Sequence, residues 1–368
     1  MDRAESVNSV DSVLLYYVYL DMDEKATEEA KVQQLAWCKE LSLMGRIRVT
    51  PEGINGTLDG SKSCLQEYCE RMDLQYMPTV IDWKWASYPE TCERRFKSVS
   101  VKIKDEVVGM VLDEKEREDM MKAPMGNHLS AAEWHEELKK DDENLLLLDV
   151  RNFYETRVGY FKYGSEEKNK AIDPMTRSFS DFKYFVENEI DSFKGKKVLM
   201  YCTGGVRCER ASQFLRSKGI ENVHQLHGGI HRYQEQYPYG FFKGKNFVYD
   251  PRVAVGPEQV EKRHHQQQQW SCDLSNIWSW LWGSAEKPAD GYEVVGRCML
   301  CKRPHDDYHS PYDRGAAAQT RCSYCRVLCL VCDECKRDET RLHEVKTLKC
   351  EMCLKRGTGV IGKEEDNR

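Results

Sequence analysis

An apolar run, Val198-Leu-Met-Tyr201, leads into Cys202-Thr-Gly-Gly-Val-Arg-Cys208, and a helical pattern opens at Glu209 and continues to Ser217. A buried strand that hands over to a helix through a Gly-rich turn is the junction of a parallel α/β layer, and ligands sit at such turns, at the carboxyl ends of the strands. Gly204 and Gly205 let the backbone curl with its N–H groups inward, which makes an anion nest at a helix N-terminus and lowers the pKa of a thiol placed there. Cys202 is therefore expected to be a catalytic thiolate, with Thr203, Gly204, Gly205, Val206, Arg207 and Cys208 as its loop. As a merely structural cysteine it would leave the glycines and the arginine without a purpose. Arg207 follows Cys202 by five residues, one fewer than in the phosphate loop Cys-x5-Arg, whose arginine position is filled here by Cys208. The loop is thus short for phosphate and suits sulfur: a thiolate that attacks a sulfane sulfur yields a persulfide whose charge the same N–H groups hold.

The rest of the chain divides around this junction. Residues 1–106 alternate extended and helical patterns: strand-like at Leu14–Leu20, helical at Ala26–Leu43, a hairpin at Arg46–Thr50 and Gly56–Leu58, helical at Cys64–Met72, extended at Thr79–Trp85 and Ser98–Ile103. The order βαββαβ with one added strand predicts a ferredoxin-like α+β domain. Residues 107–127 are charged and aperiodic and read as a linker. Residues 128–255 read as an α/β domain with a parallel sheet, in which Ser130 caps a helix carrying Trp134 and Leu138, and Leu145–Val150 is a buried strand. Residues 256–292 form an inserted segment with His264-His265-Gln-Gln-Gln-Gln269 and Trp270, Trp278, Trp280 and Trp282. These tryptophans read first as a small element docked on the protein's own surface, and alternatively as a partner-binding anchor. A cysteine-rich module at 293–356 and a frayed tail at 357–368 complete an α/β multidomain chain.

Around the loop stand Asp149-Val-Arg151, Glu155, Ala171-Ile172-Asp173 and Leu226-His-Gly-Gly229, a set that matches the rhodanese domain. Asp149, Arg151 and Glu155 are expected to support the loop, the first two as an ion pair at a strand end rather than as chemistry. Cys208 is open to two readings, a resolving partner for an oxidised Cys202 and a half-buried helix residue. His224 and His227 either border the pocket or are satisfied structural groups. Three further stretches narrow the resemblance: Glu52-Gly-Ile-Asn-Gly-Thr57, Met200–Glu209 and Phe247-Val-Tyr-Asp-Pro-Arg-Val-Ala-Val255. With the domain order they resemble the rhodanese-containing tRNA uridine hydroxylase family over roughly residues 12–255, the central stretch being the most specific. The resemblance implies oxygen-dependent hydroxylation of the wobble uridine of tRNA at C5, with Cys202 required. If tRNA is bound, Arg94, Arg95, Lys97, Lys102 and Lys104 are the best candidates to meet its phosphates, the alternative being a solvated edge strand. The chain departs from the bacterial pattern at Phe179-Ser-Asp-Phe182, which lacks an arginine after the first phenylalanine, and in its longer linker.

Of sixteen cysteines, nine fall between 298 and 353, mostly as Cys-x-x-Cys pairs, a spacing that favours metal over disulfide. Cys298 and Cys301 with Cys322 and Cys325 have the gap of a four-thiolate zinc ribbon, and Cys332, Cys335, Cys350 and Cys353 offer a second set. Cys329 is one too many, His305, His309 and His343 are possible substitutes, and a cross-braced pairing stays open. Two structural zinc ions are expected, with no organic cofactor evident. The zinc module and the Trp-rich segment are both candidate sites for protein partners.

A net charge of −6 excludes a globally basic nucleic-acid binder but not local basic patches. No apolar run is long enough to cross a bilayer and the acidic start carries no signal-peptide pattern, so the expected location is the cytoplasm, with no membrane partner. Three functions compete: a tRNA-modifying hydroxylase, a thiosulfate or persulfide sulfurtransferase, and a non-catalytic zinc-bearing adaptor, which the loop disfavours.

Overall fold

The computed structural model describes residues 11–87, 96–163, 170–247, 254–260, 292–308 and 319–356. Residues 261–291 with the four tryptophans, residues 357–368, Arg94, Arg95 and most of the stretch from Phe247 to Val255 lie outside them.

The first domain runs β1 (Asp11–Tyr19), α1 (Glu24–Glu40), β2 (Met44–Thr50), β3 (Gly53–Ser61), α2 (Lys62–Gln75), β4 (Lys84–Ser87) and β5 (Val99–Ile103). Asp23 opens α1 by accepting from the Ala26 N–H at 2.7 Å, and Ser61 opens α2 by accepting from that of Cys64. The sheet order is β4-β1-β3-β2-β5, antiparallel except for β5, which joins the edge parallel to β2. This is the ferredoxin-like arrangement with its added strand. The strand expected from Thr79 begins only at Lys84. One face of the sheet, with Leu14, Tyr16, Val18, Ile47, Ile54 and Leu58, closes on the two helices as the domain's core. Among the described residues the opposite face carries no helix of the first domain. Gly56 is required here because a Cβ would lie 2.4 Å from the Tyr16 ring, and Gly53, at φ +140°, would meet the Val18 carbonyl oxygen at 2.1 Å.

Residues 107–127 are not structureless. They contain α3 (Glu114–Lys122), opened by a capping box between Asp113 and Glu116. Val108, Met110, Leu112 and Met120 enter the core of the second domain. Only Met120 of α3 is buried, so the helix has no apolar stripe for a periodicity reading to find.

The second domain comprises β6 (Asn127–Leu129), α4 (Ala131–Lys139), β7 (Leu145–Asp149), α5 (Phe153–Thr156), β8 (Gly159–Phe161), α6 (Phe182–Phe193), β9 (Lys197–Tyr201), α7 (Val206–Ser217), β10 (Val223–Leu226) and α8 (Gly229–Gln236), followed by short strands. Ser130 caps α4 as expected, in a capping box with Glu133. Four strands form a parallel sheet in the order β6-β10-β9-β7, which places β9 and its cysteine between two neighbours. The helix after the loop starts at Val206 rather than Glu209, so Val206, Arg207 and Cys208 form its first turn and the loop proper is shorter. Among the described residues no helix is long and apolar enough to cross a membrane.

Candidate active site and metal centres

Cys202 lies at the carboxyl end of β9, fully buried. Gly205 turns the chain at φ +97° and donates its N–H to the Cys202 sulfur at 3.1 Å. Burial pushes the Cys202 thiol up, but hydrogen bonds from the Cys208 thiol and from backbone N–H groups, with the Arg207 charge, outweigh it and bring its pKa down to about 6. The loop thus favours the thiolate form of Cys202. Cys208 is fully buried and its own pKa is driven well up, by burial and by donating to the anionic neighbour. The turn after β10 clamps the loop from behind: the N–H groups of Ile230 and His231 donate to the carbonyls of Cys202 and Thr203 at 3.0 and 3.1 Å. Gly228 and Gly229 both sit at φ +68°, and a Cβ on Gly229 would meet the Cys202 carbonyl oxygen at 2.6 Å, which explains the Gly-Gly pair.

Glu155, on the single turn α5, accepts from Arg207 through both guanidinium nitrogens at 2.7 and 3.0 Å and from the Thr203 hydroxyl at 3.2 Å. Burial would raise its pKa, but the Arg207 charge and hydrogen bonds hold it below the usual carboxylate range. Arg207 is thus oriented by Glu155 while its charge stabilises the sulfur. Asp149 and Arg151 form the floor. Both are fully buried, joined at 2.6 Å, with Asp149 also accepting from Tyr201 and Thr156 and Arg151 donating to the Gly159 carbonyl. Asp149→Ala would leave a buried guanidinium uncompensated, and the expected cost is about 3–5 kcal/mol, read as a lowered midpoint of denaturant unfolding.

The first domain covers this loop with the face of its sheet opposite its own helices. Measured to an ideal Cβ, Leu15 is 3.1 Å and the Lys84 stem 3.4 Å from Gly204, and the Tyr17 hydroxyl is 3.0 Å from Gly205. Lys84 is fully buried, pairs with Asp82 at 2.7 Å and lies 5.0 Å from the Tyr17 ring centre. The Tyr17 hydroxyl donates to Glu209 at 3.4 Å, and Glu209 also binds His128 at 2.8 Å and the Gln225 amide at 2.8 Å. That carboxylate raises the pKa of the half-exposed His128. Across the boundary Glu52 pairs with Arg210 and Asp82 with Arg232. Glu52 also accepts the Val107 N–H at 2.7 Å, so the Glu52–Thr57 motif serves both the hairpin and the domain junction.

Tyr17, Lys84, His128 and Glu209 were not singled out by sequence spacing, because they come together only through the fold. One signal existed: Val13–Tyr19 is apolar on both alternations, as a strand covered on both faces must be. His224 binds the Asn222 side chain, away from the loop, whereas the ring of exposed His227 stands 5.5 Å edge-on to His128.

Lys97, Lys102 and Lys104 are exposed on and beside the edge strand β5. Cross-strand register aligns Tyr17, Asn55, Arg48 and Lys102, so one face of the sheet runs from the cover of Cys202 to this basic edge.

In the cysteine-rich module the sulfurs gather as Cys298, Cys301, Cys332 and Cys335, and as Cys322, Cys325, Cys350 and Cys353, each set within 4.8 Å. The pairs are therefore interleaved, first with third and second with fourth, which corrects the consecutive grouping suggested by the ribbon-like gap. Spacing alone could not decide this, since every pair has the same form. The Cys301–Cys332 and Cys325–Cys350 sulfurs are both 3.6 Å apart, close to the edge of about 3.8 Å of a tetrahedron with metal–sulfur bonds of about 2.3 Å. Backbone N–H groups of Cys332 and Cys350 donate to the Cys298 and Cys322 sulfurs, as four crowded thiolates require. Either site could hold a metal ion. Cys329 stands outside both and is buried.

Residues 12–107 match the family model described as the UPF0176 acylphosphatase like domain, and residues 131–236 match the rhodanese-like domain. "Rhodanese-like domain-containing protein 6" of Arabidopsis thaliana is 35% identical over 370 residues, covering 95% of this chain, which spans about half, 54%, of that relative's length. A "tRNA uridine(34) hydroxylase" of Staphylococcus epidermidis is 36% identical over 252 residues, covering 68% of this chain and 73% of the relative. One of Aster yellows witches'-broom phytoplasma is 35% identical over 258 residues, covering 69% and 78%. With this domain pair and this degree of identity, the chain belongs to the family of the tRNA uridine(34) hydroxylases.

Proposed function

We propose that the chain hydroxylates C5 of the wobble uridine of tRNA in an oxygen-dependent reaction, with Cys202 as the required catalytic residue and the cytoplasm as the site of action. The reaction replaces C5–H by C5–OH, a two-electron oxidation of the base: one atom of dioxygen enters the base, and the other leaves as water with two protons and two electrons drawn from an external thiol reductant. The observation that carries the reading is a buried, low-pKa thiol held between the two domains that this chain shares with relatives named for that reaction. Thr203 to Cys208 hold the sulfur's charge, Asp149 and Arg151 brace the floor, and Glu155 orients Arg207. Lys97, Lys102 and Lys104, with Arg94 and Arg95, meet the phosphates of the RNA, and the sheet face ending at Tyr17 guides it to the sulfur. Two zinc ions occupy the four-cysteine sites as structural metals, because closed thiolate shells leave no open position for chemistry.

The second reading, transfer of sulfane sulfur from thiosulfate or a persulfide, is favoured by one observation: the N–H groups around Cys202 would stabilise a persulfide as well as a thiolate. The test incubates the purified chain with tRNA from cells that lack it and a thiol reductant, in air and without oxygen, followed by nucleoside mass spectrometry. 5-Hydroxyuridine at position 34 in air only is the expected result. Unmodified tRNA together with Cys202-dependent transfer of sulfur from thiosulfate to cyanide would replace the hydroxylase by the sulfurtransferase.

A further inference from the structure

The single turn α5 stands between the Cys202 loop and the cysteine-rich module, and its side chains divide between them. Toward the loop, Glu155 holds Arg207 and Thr203, and Thr156 binds Asp149 at 3.1 Å. Toward the module, Phe153 packs in one cluster with Cys322, Cys350 and Cys353, members of one metal site. The Tyr154 carbonyl accepts from the Tyr308 hydroxyl at 2.8 Å. Arg157, directly after the turn, donates through Nε to Glu351 at 3.0 Å and through Nη1 to Asp173 at 2.7 Å. Four residues of helix cannot hold their own shape, since nucleating one turn costs more than its hydrogen bonds return. The contacts on both sides of the turn must therefore hold Glu155, those of the module as well as the Thr156–Asp149 bond and the Phe153 N–H to the Thr176 carbonyl.

We propose that the metal-binding module is the brace of the reactive-thiol loop: Arg157 and Phe153 are positioning residues through which the module fixes α5, and α5 through Glu155 fixes Arg207 beside Cys202. The inference rests on the reading of Cys202 as a reactive thiolate, and it adds that this state depends on a module far off in sequence. If α5 loosens, Glu155 no longer holds the guanidinium inward. Arg207 then turns to solvent, where its charge is screened, and one of the groups that lowers the Cys202 pKa is lost.

The test measures the pH dependence of Cys202 alkylation by iodoacetamide in the full-length chain. Trypsin cuts after Arg207 and so separates the Cys202 peptide from Cys208, which lets mass spectrometry read Cys202 alone. The midpoint is used rather than the absolute rate because the thiol is buried. In wild type it is expected near 6. In the double variant Glu351→Gln, Tyr308→Phe, which replaces no cysteine, elemental analysis should still find the metal, and the midpoint should rise by about one pH unit, a roughly fivefold lower thiolate fraction at pH 6. Removing metal from the wild-type chain with a chelator should raise the midpoint toward the ordinary value of about 8.5, and returning zinc should restore it. An unchanged midpoint in both arms overturns the brace while leaving the thiolate reading intact. A wild-type midpoint already near the ordinary value overturns the thiolate reading and the brace with it. Should the double variant not fold, the chelation arm decides by the same two outcomes.

Discussion

Cys202→Ser in the purified chain is expected to lower turnover by about a thousandfold or more while leaving the fold intact. Serine is nearly the same size as cysteine, so the substitution disturbs little of the packing around a loop whose glycines Tyr17, Leu15 and Lys84 cover. What changes is the charge. A serine hydroxyl stays protonated at every accessible pH, so the Gly205 N–H and the Arg207 charge, which draw the thiol down to about 6, would act on a neutral oxygen. No persulfide or other sulfur species could form. The check is steady-state turnover against thermal unfolding in the same preparation. Substantial turnover in the folded variant would remove Cys202 from the chemistry and leave its loop a structural element.

Removing metal is expected to unfold the cysteine-rich module outright. Two of its clusters are built largely of the ligands, Cys298 and Cys335 with Val331 in one and Cys322, Cys350 and Cys353 with Cys329 and Phe153 in the other, while Tyr308, Leu328 and Leu330 pack on Val158 and Phe247. Without metal these side chains supply a small apolar core at best, whereas a structural zinc in a small module contributes on the order of 10–16 kcal/mol per site. Elemental analysis should find two zinc ions per chain. After chelation, proteases should cut within 292–356 while the first two domains, whose cores contain none of these cysteines, stay resistant. A metal-free module that remains protected would refute a structural role for the metal.

How much of this was legible in the sequence follows from which contacts are local. The Cys202 loop could be read because strand, turn and helix are contiguous, and Ser130 could be read as a cap because its partner Glu133 is three residues on. The start of α7 was misplaced by three residues, since Val206 is β-branched and a weak helix former, and nothing local shows that Gly205 already turns the chain into the helix. The cover over the sulfur was out of reach: Tyr17 and Glu209 are separated by 192 residues and are joined only by the way two domains dock. The same holds for the interleaved cysteine pairs, whose identical spacings fit several groupings, and for Arg157 and Glu351, 194 residues apart, whose pairing ties α5 to the module. Asp149 and Arg151, two residues apart at a strand end, were legible as an ion pair, and the structure buries them completely.

The most direct measurement is nucleoside mass spectrometry of tRNA from cells lacking the protein, complemented with wild type or with Cys202→Ser. Nucleosides derived from 5-hydroxyuridine should fall when the protein is absent, return with wild type and not return with Cys202→Ser. Unchanged levels in the cells that lack it, or full restoration by the serine variant, would contradict tRNA hydroxylation through Cys202.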